Sequence, residues 1–123
     1  MMWLVRFHDA FEAEFDAMAG EVREELAATA KLLQDCGPKL GRPHVDTLNG
    51  SQFSNMKELR FRVAGGVWRV AFAFDPNREG ILLMAGDKSG GSEDKFYRRL
   101  IAKADERYAG HLAAMKKLPA KKG

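Results

Sequence analysis

The sequence predicts an α+β domain: an N-terminal strand and helical hairpin, then an antiparallel three-stranded meander and a C-terminal helix. Three observations carry this expectation. Apolar residues recur at helical spacing between residues 9 and 35 and again after Ser92; they alternate with polar residues between Lys57 and Ala85; and Gly and Pro clusters separate the blocks. A chain of 123 residues suits one folding unit, and 46% hydrophobic with 30% charged residues is a globular balance. The domain is expected over residues 1–115, with 116–123 as a basic flexible tail.

Trp3, Val5 and Phe7 alternate with Leu4 and Arg6 as a short strand. Asp9 then stands where it caps a helix, with Glu12 three residues on as in a capping box, and Phe11, Phe15 and Met18 at helical spacing up to Gly20. From Glu21 to Asp35 the apolar stripe is Val22, Leu26, Thr29, Ala30 and Leu33, ended by Gly37-Pro38. Lys39 to Asn55 has no period and reads as a long loop. Lys57 to Ala64, Val67 to Phe74 and Ile81 to Ala85 read as strands. Ser92 caps a last helix running to about Met115, with Phe96, Leu100, Ala104, Tyr108 and Leu112 facing inward.

Cys36 is the only cysteine, which rules out an internal disulfide and leaves no paired Cys spacing for zinc or redox chemistry. Arg6, His8 and Asp9 interrupt the apolar start before a signal-peptide core or membrane span forms, so the expected place is the cytoplasm, without membrane contact. Twenty Lys and Arg against 17 Asp and Glu give a net charge of +3, a mild excess that permits a polyanionic partner.

Where the charges fall matters more. With Gly65-Gly66 as a two-residue hairpin turn, Arg62 pairs with Arg69, Val63 with Trp68 and Leu59 with Phe72. Strand alternation then sets Leu59, Phe61, Val63, Trp68, Val70 and Phe72 on one face and Glu58, Arg60, Arg62 and Arg69 on the other. Two arginines directly opposite repel, so the pair asks for an anion, and guanidinium groups bind phosphate bidentately at any working pH. The alternative is a solvated face on which Glu58 or Asp75 neutralises the arginines.

The runs Leu48-Asn49-Gly50, Lys57-Glu58-Leu59-Arg60-Phe61-Arg62, Gly66-Val67-Trp68-Arg69-Val70-Ala71-Phe72 and Gly86-Asp87-Lys88-Ser89 resemble the phage-derived Gp49-like, or HigB-like, branch of the RelE toxin superfamily. The resemblance covers most of the chain. It implies a RelE-like fold and a type II toxin: a ribosome-dependent mRNA endoribonuclease that needs no metal or cofactor and is neutralised by a cognate helix-turn-helix antitoxin. It also implies a basic site, with Arg60, Arg62 and Arg69 matching basic residues of the RelE pattern, Lys88 falling near its last arginine, and Tyr97 a looser match to its C-terminal tyrosine.

The candidate catalytic residues are therefore Arg62, Arg69, Lys88, His44 and Tyr97, with Lys57, Arg60 and Arg62 as RNA-binding residues. Attack by a ribose 2′-hydroxyl on the neighbouring phosphate needs a base, an acid and positive charge. Arg62 and Arg69 suit the last role. His44 is the one histidine in a loop long enough to reach the sheet face, and Lys88 suits a clamp or proton donor. Two other functions fit the same residues: a ParE-like gyrase poison, and a non-catalytic nucleic-acid-binding phage accessory protein.

Overall fold

The computed structural model describes residues 2–117; of the expected tail, 118–123 lie outside the described residues, while Lys116 and Lys117 are still helical. The elements in chain order are β1 (Val5–Phe7), α1 (Asp9–Asp16), α2 (Gly20–Cys36), β2 (Val45–Thr47), β3 (Lys57–Val63), β4 (Gly66–Phe74), β5 (Gly80–Asp87) and α3 (Glu93–Lys117). One five-stranded sheet runs β1-β5-β4-β3-β2. The expected meander β3-β4-β5 is its antiparallel centre; β1 adds in parallel beside β5, and β2 adds antiparallel beside β3. The fold class is α+β, as the sequence predicts.

Helices cover both faces. Phe11, Val22, Leu26 and Leu33 of α1 and α2 pack on Leu59, Val70, Phe72 and Leu82. On the opposite face Leu100, Ala104 and Tyr108 of α3 pack on Ala71, Ala73, Ile81 and Leu83. The alternation in β4 explains the two layers: large Val70 and Phe72 fill the space under α2, and small Ala71 and Ala73 let α3 lie close. The face expected to be simply basic is therefore basic only towards the hairpin end, where α3 begins and the apolar packing under it stops.

Several local expectations need correction. The α1 N-cap is His8, whose Nδ1 accepts from the Ala10 N–H at 3.1 Å, with Asp9 already helical. The stretch Lys39 to Asn55 follows on from a 3₁₀ turn at Gly37–Lys39 and holds β2, and Asp105 on α3 pins its second half by accepting from Ser51 Oγ (2.5 Å) and the Gln52 N–H (3.0 Å). Arg107 ties α3 to α1 through Glu14 (2.8 and 2.5 Å) and donates to the Leu83 carbonyl at 2.7 Å. The Ser92 cap is present, accepting from the Lys95 N–H at 3.3 Å.

The hairpin register also differs. The turn residues are Ala64 and Gly65, with φ of +48° and +80°, not Gly65 and Gly66. Two successive positive φ values define the turn whose twist matches the flanking strands. Arg60 consequently pairs with Arg69, Phe61 with Trp68, and Arg62 with Val67. Because the slip is two residues, every side chain keeps its expected face. Gly66 stays in the strand because a Cβ there would meet the Trp68 indole at 2.8 Å. Trp68 is half-buried, stacked on Phe61 at 6.2 Å between ring centroids.

Ala64 sits in a left-handed conformation that costs an ordinary side chain about 1–2 kcal/mol. Replacing it with Asn, which tolerates that conformation and makes the favoured Asn-Gly turn, should raise stability by about 0.5–1 kcal/mol in urea unfolding. An unchanged or lower midpoint for Ala64→Asn would place the turn elsewhere.

Candidate functional site: the charged face of the hairpin

β3 and β4 place Glu58, Arg60, Arg62 and Arg69 on one side of the sheet, at the end where α3 begins. Arg69 and Glu58 are both buried, at 6% exposure each. The first turns of α3 bring Tyr97 over them. The Tyr97 hydroxyl donates to Glu58 Oε1 at 2.9 Å and accepts from Arg69 Nε at 3.3 Å, while Arg69 Nη1 donates to the Trp68 carbonyl at 3.0 Å. Arg69 Nε stands 3.7 Å from Glu58 Oε1, and Arg60 Nε stands 3.9 Å from Glu58 Oε2. One carboxylate thus lies against two guanidinium groups that face each other across the strands.

Local sequence explains the closeness of α3 here. A Cβ at Gly86, the β5 partner of Arg69, would meet Phe96 at 2.8 Å, and Phe96 packs edge-on against Tyr97 at 5.2 Å. Lys88 arrives from the end of β5, with its backbone N–H bonded to the Val67 carbonyl at 2.7 Å. Its ammonium is 5.7 Å from the Tyr97 ring centroid and pairs with Glu93 at 2.9 Å, which holds the Glu93 carboxyl below the usual carboxylate range. Burial pushes the Tyr97 phenol up; the bond from Arg69 opposes this and the bond to Glu58 adds to it. Tyr97 is therefore a neutral hydroxyl at physiological pH.

Two hollows flank this network. One of about 320 Å³ is lined by Glu58 and Tyr97 together with Asp46, Thr47, Leu48 and Asn49. The other, of about 230 Å³, is lined by Arg60, Arg62 and Arg69 with Pro43 and Phe61. The buried network is reachable from both sides, by an anion near the guanidinium groups and by a hydroxyl near the carboxylate.

The structure brings Arg60, Arg62, Arg69, Tyr97 and Lys88 together. His44 is exposed and stands apart from Glu58 and Tyr97: its carbonyl accepts from the Arg60 N–H at 2.8 Å, and it lines a separate hollow against α2. Lys57 does not join the face. It pairs with Phe72, so strand alternation turns it to the α1–α2 side. Glu58 is the residue of this network that sequence reasoning did not single out as a site candidate. Its parity with the arginines was visible, but its contact with Tyr97, 39 residues away, was not. Among the described residues no three His, Cys, Asp or Glu side chains gather in a metal-holding group. No described helix is long and apolar enough to cross a membrane.

Residues 13–109 match the family described as phage derived protein Gp49-like. The chain belongs to the Gp49-like family. Gp49-like relatives include a protein of Mycobacterium tuberculosis (strain ATCC 25618 / H37Rv) named "Putative toxin HigB3", 44% identical over 103 residues that make up 84% of this chain and 88% of the relative. A second from the same strain, named in the same way for HigB2, is 42% identical over 106 residues, 85% of this chain and 52% of the relative, so this chain spans about half of it. Among solved structures a free-state double mutant of the E. coli toxin RelE superposes with a TM-score of 0.58 over 84% of this chain and 97% of that one, at 14% identity. That likeness is one of fold. The RelE-like fold and the Gp49-like, HigB-related family expected from the motifs are thereby met.

Two outcomes follow for this Gp49-like site. Arg69→Ala leaves Glu58 buried without its nearest cation, and breaking a buried pair typically costs about 3–5 kcal/mol. Calorimetry or urea unfolding should show that loss, and Glu58→Gln/Arg69→Ala should recover part of it; a double variant no better than the single would mean the two do not interact. Alkaline difference absorbance between wild type and Tyr97→Phe should place the Tyr97 ionisation above the ordinary value of about 10. A midpoint at or below it would contradict the buried, carboxylate-bonded hydroxyl.

Proposed function

We propose that this protein is the toxin of a toxin–antitoxin pair and that the charged face of the β3–β4 hairpin cleaves messenger RNA on the ribosome. The supporting observation is the Glu58–Tyr97–Arg69 network, open to a hollow on each side, with Arg60 directly opposite Arg69. Glu58 offsets the buried charge of Arg69, and among phosphate-binding arginines such a carboxylate weakens anion binding. A transesterification can use it as a proton acceptor.

In this reading the scissile phosphate lies against Arg60, Arg62 and Arg69, whose guanidinium donors oppose the charge that grows on the phosphorane. Tyr97, itself neutral, orients Glu58 at rest; once RNA displaces that bond, Glu58 takes the 2′-hydroxyl proton and Tyr97 donates instead to the reacting oxygens. The O2′–P bond forms and the P–O5′ bond breaks, giving a 2′,3′-cyclic phosphate. Lys88, released from Glu93, supplies charge and the proton for the leaving 5′-oxygen. His44 is not required as the base. The HigB names of the relatives support a cognate antitoxin as partner, for which a helix-turn-helix protein encoded beside this one is the natural candidate.

Cell-free translation followed by primer extension tests this reading. Wild type should cut messages within codons only when they are being translated. Arg69→Lys keeps the charge but loses the planar fork, and it should lower the rate at saturating ribosomes by a factor of about 100. Arg60→Ala should chiefly weaken binding. Intact message with wild-type protein, at concentrations that stop growth when expressed, would reject the nuclease reading.

A further inference from the structure

Between α2 and the exposed end of β3 lies a hollow of about 400 Å³ that the chemistry above does not use. Its walls include Leu32, Pro43 and Phe61, its rim carries Glu25 and His44, and Arg60 and Arg62 close it on the sheet side. Pro43, Arg60, Phe61 and Arg62 also line the phosphate hollow, so the two are adjacent and share a wall. β2 covers β3 only as far as Leu59, leaving the strand edge from Arg60 to Val63 without a neighbouring strand there. The Arg60 N–H points to this edge, where it meets His44, so the Arg62 N–H, two residues on, points the same way past the end of β2.

We propose that this hollow is a base-reading subsite, which takes one nucleobase next to the phosphate held by Arg60 and Arg62 and selects a base bearing an exocyclic amino group through Glu25. The inference rests on the RNA-binding reading of the charged face. Apolar walls beside an arginine cluster suit the flat face of a base whose phosphate sits on that cluster. Glu25 is exposed, and among the described residues it makes no salt bridge or side-chain hydrogen bond; a carboxylate only accepts. Beside RNA it repels phosphate unless an amino group meets it. Cytosine offers an amino group where uracil, of the same size, offers a carbonyl oxygen, so Glu25 favours the first and rejects the second. His44, which sequence reasoning assigned to proton transfer, becomes a rim contact for the base.

Binding of fluorescently labelled cytidine and uridine trinucleotides at fixed salt tests this without requiring turnover. Wild type should bind the cytidine trimer about tenfold more tightly than the uridine trimer. Glu25→Gln, whose amide both donates and accepts, should bring the two within about twofold by tightening uridine binding, and Glu25 is exposed enough for the variant to fold. Equal affinity of wild type for both trimers overturns the subsite while leaving the charged face as an RNA site. Absence of wild-type binding to either trimer, or binding that Arg60→Ala leaves unchanged, overturns both. A preference for cytidine that survives in Glu25→Gln overturns the role of Glu25.

Discussion

The register of the β3–β4 hairpin is the constraint on which the rest depends. Ala64 and Gly65 close it with two left-handed residues, and that turn sets Arg60 opposite Arg69 and Phe61 opposite Trp68. One residue of slip would turn the arginines into the α2 layer and the phenylalanines into solvent. With the register set, β4 carries Arg69 at one end and Ala71 and Ala73 further along the same face. The small residues seat α3, and α3 in turn lowers Tyr97 onto Arg69. Core packing and the charged site are two ends of one strand face.

Burial changes what the arginines can do. Had the face been open, their charges would be screened by water and worth little to one another. Arg69 is instead held by Glu58, Tyr97 and the Trp68 carbonyl, so its guanidinium has a fixed direction before any ligand arrives. Such preorganisation is what makes charge effective against a developing anion, because nothing has to reorient during reaction. Asp46 stands 3.9 Å from Arg60 and accepts from Arg42 at 3.2 Å, and Glu93 holds Lys88. Asp46 is partly exposed and Glu93 exposed, so under the proposed function an incoming phosphate would replace them at small cost.

Much of this was legible in the residues. Helical spacing marked α1, α2 and α3, and alternation marked the three central strands and the side on which the arginines lie. What failed did so for identifiable reasons. β2 is three residues long between Gly-Pro and Asn-Gly segments, too short for a period to show. The turn was misplaced because Gly65-Gly66 is the more permissive pair on paper, whereas Gly66 is needed inside the strand for contact with Trp68. Lys57 could have been excluded by parity alone. The choice among Glu58, Asp75 and solvent as the partner of Arg69 stayed open, because it depended on where α3 crosses the sheet: Glu58 meets Arg69, and Asp75 instead bonds His111. The family match supports the fold and the toxin reading, while the roles of Glu58, Tyr97 and the arginines rest on their geometry.

The central claim is that this face promotes attack of a ribose 2′-hydroxyl on the adjacent phosphate. A translated message carrying a single 2′-O-methyl nucleotide at a mapped cut position tests it most directly, because the change removes the nucleophile and leaves coding, phosphate and base in place. The cut should vanish at that position, persist at unmodified positions of the same message, and leave 2′,3′-cyclic phosphate ends where it occurs. Cleavage at the blocked position with undiminished rate would contradict it.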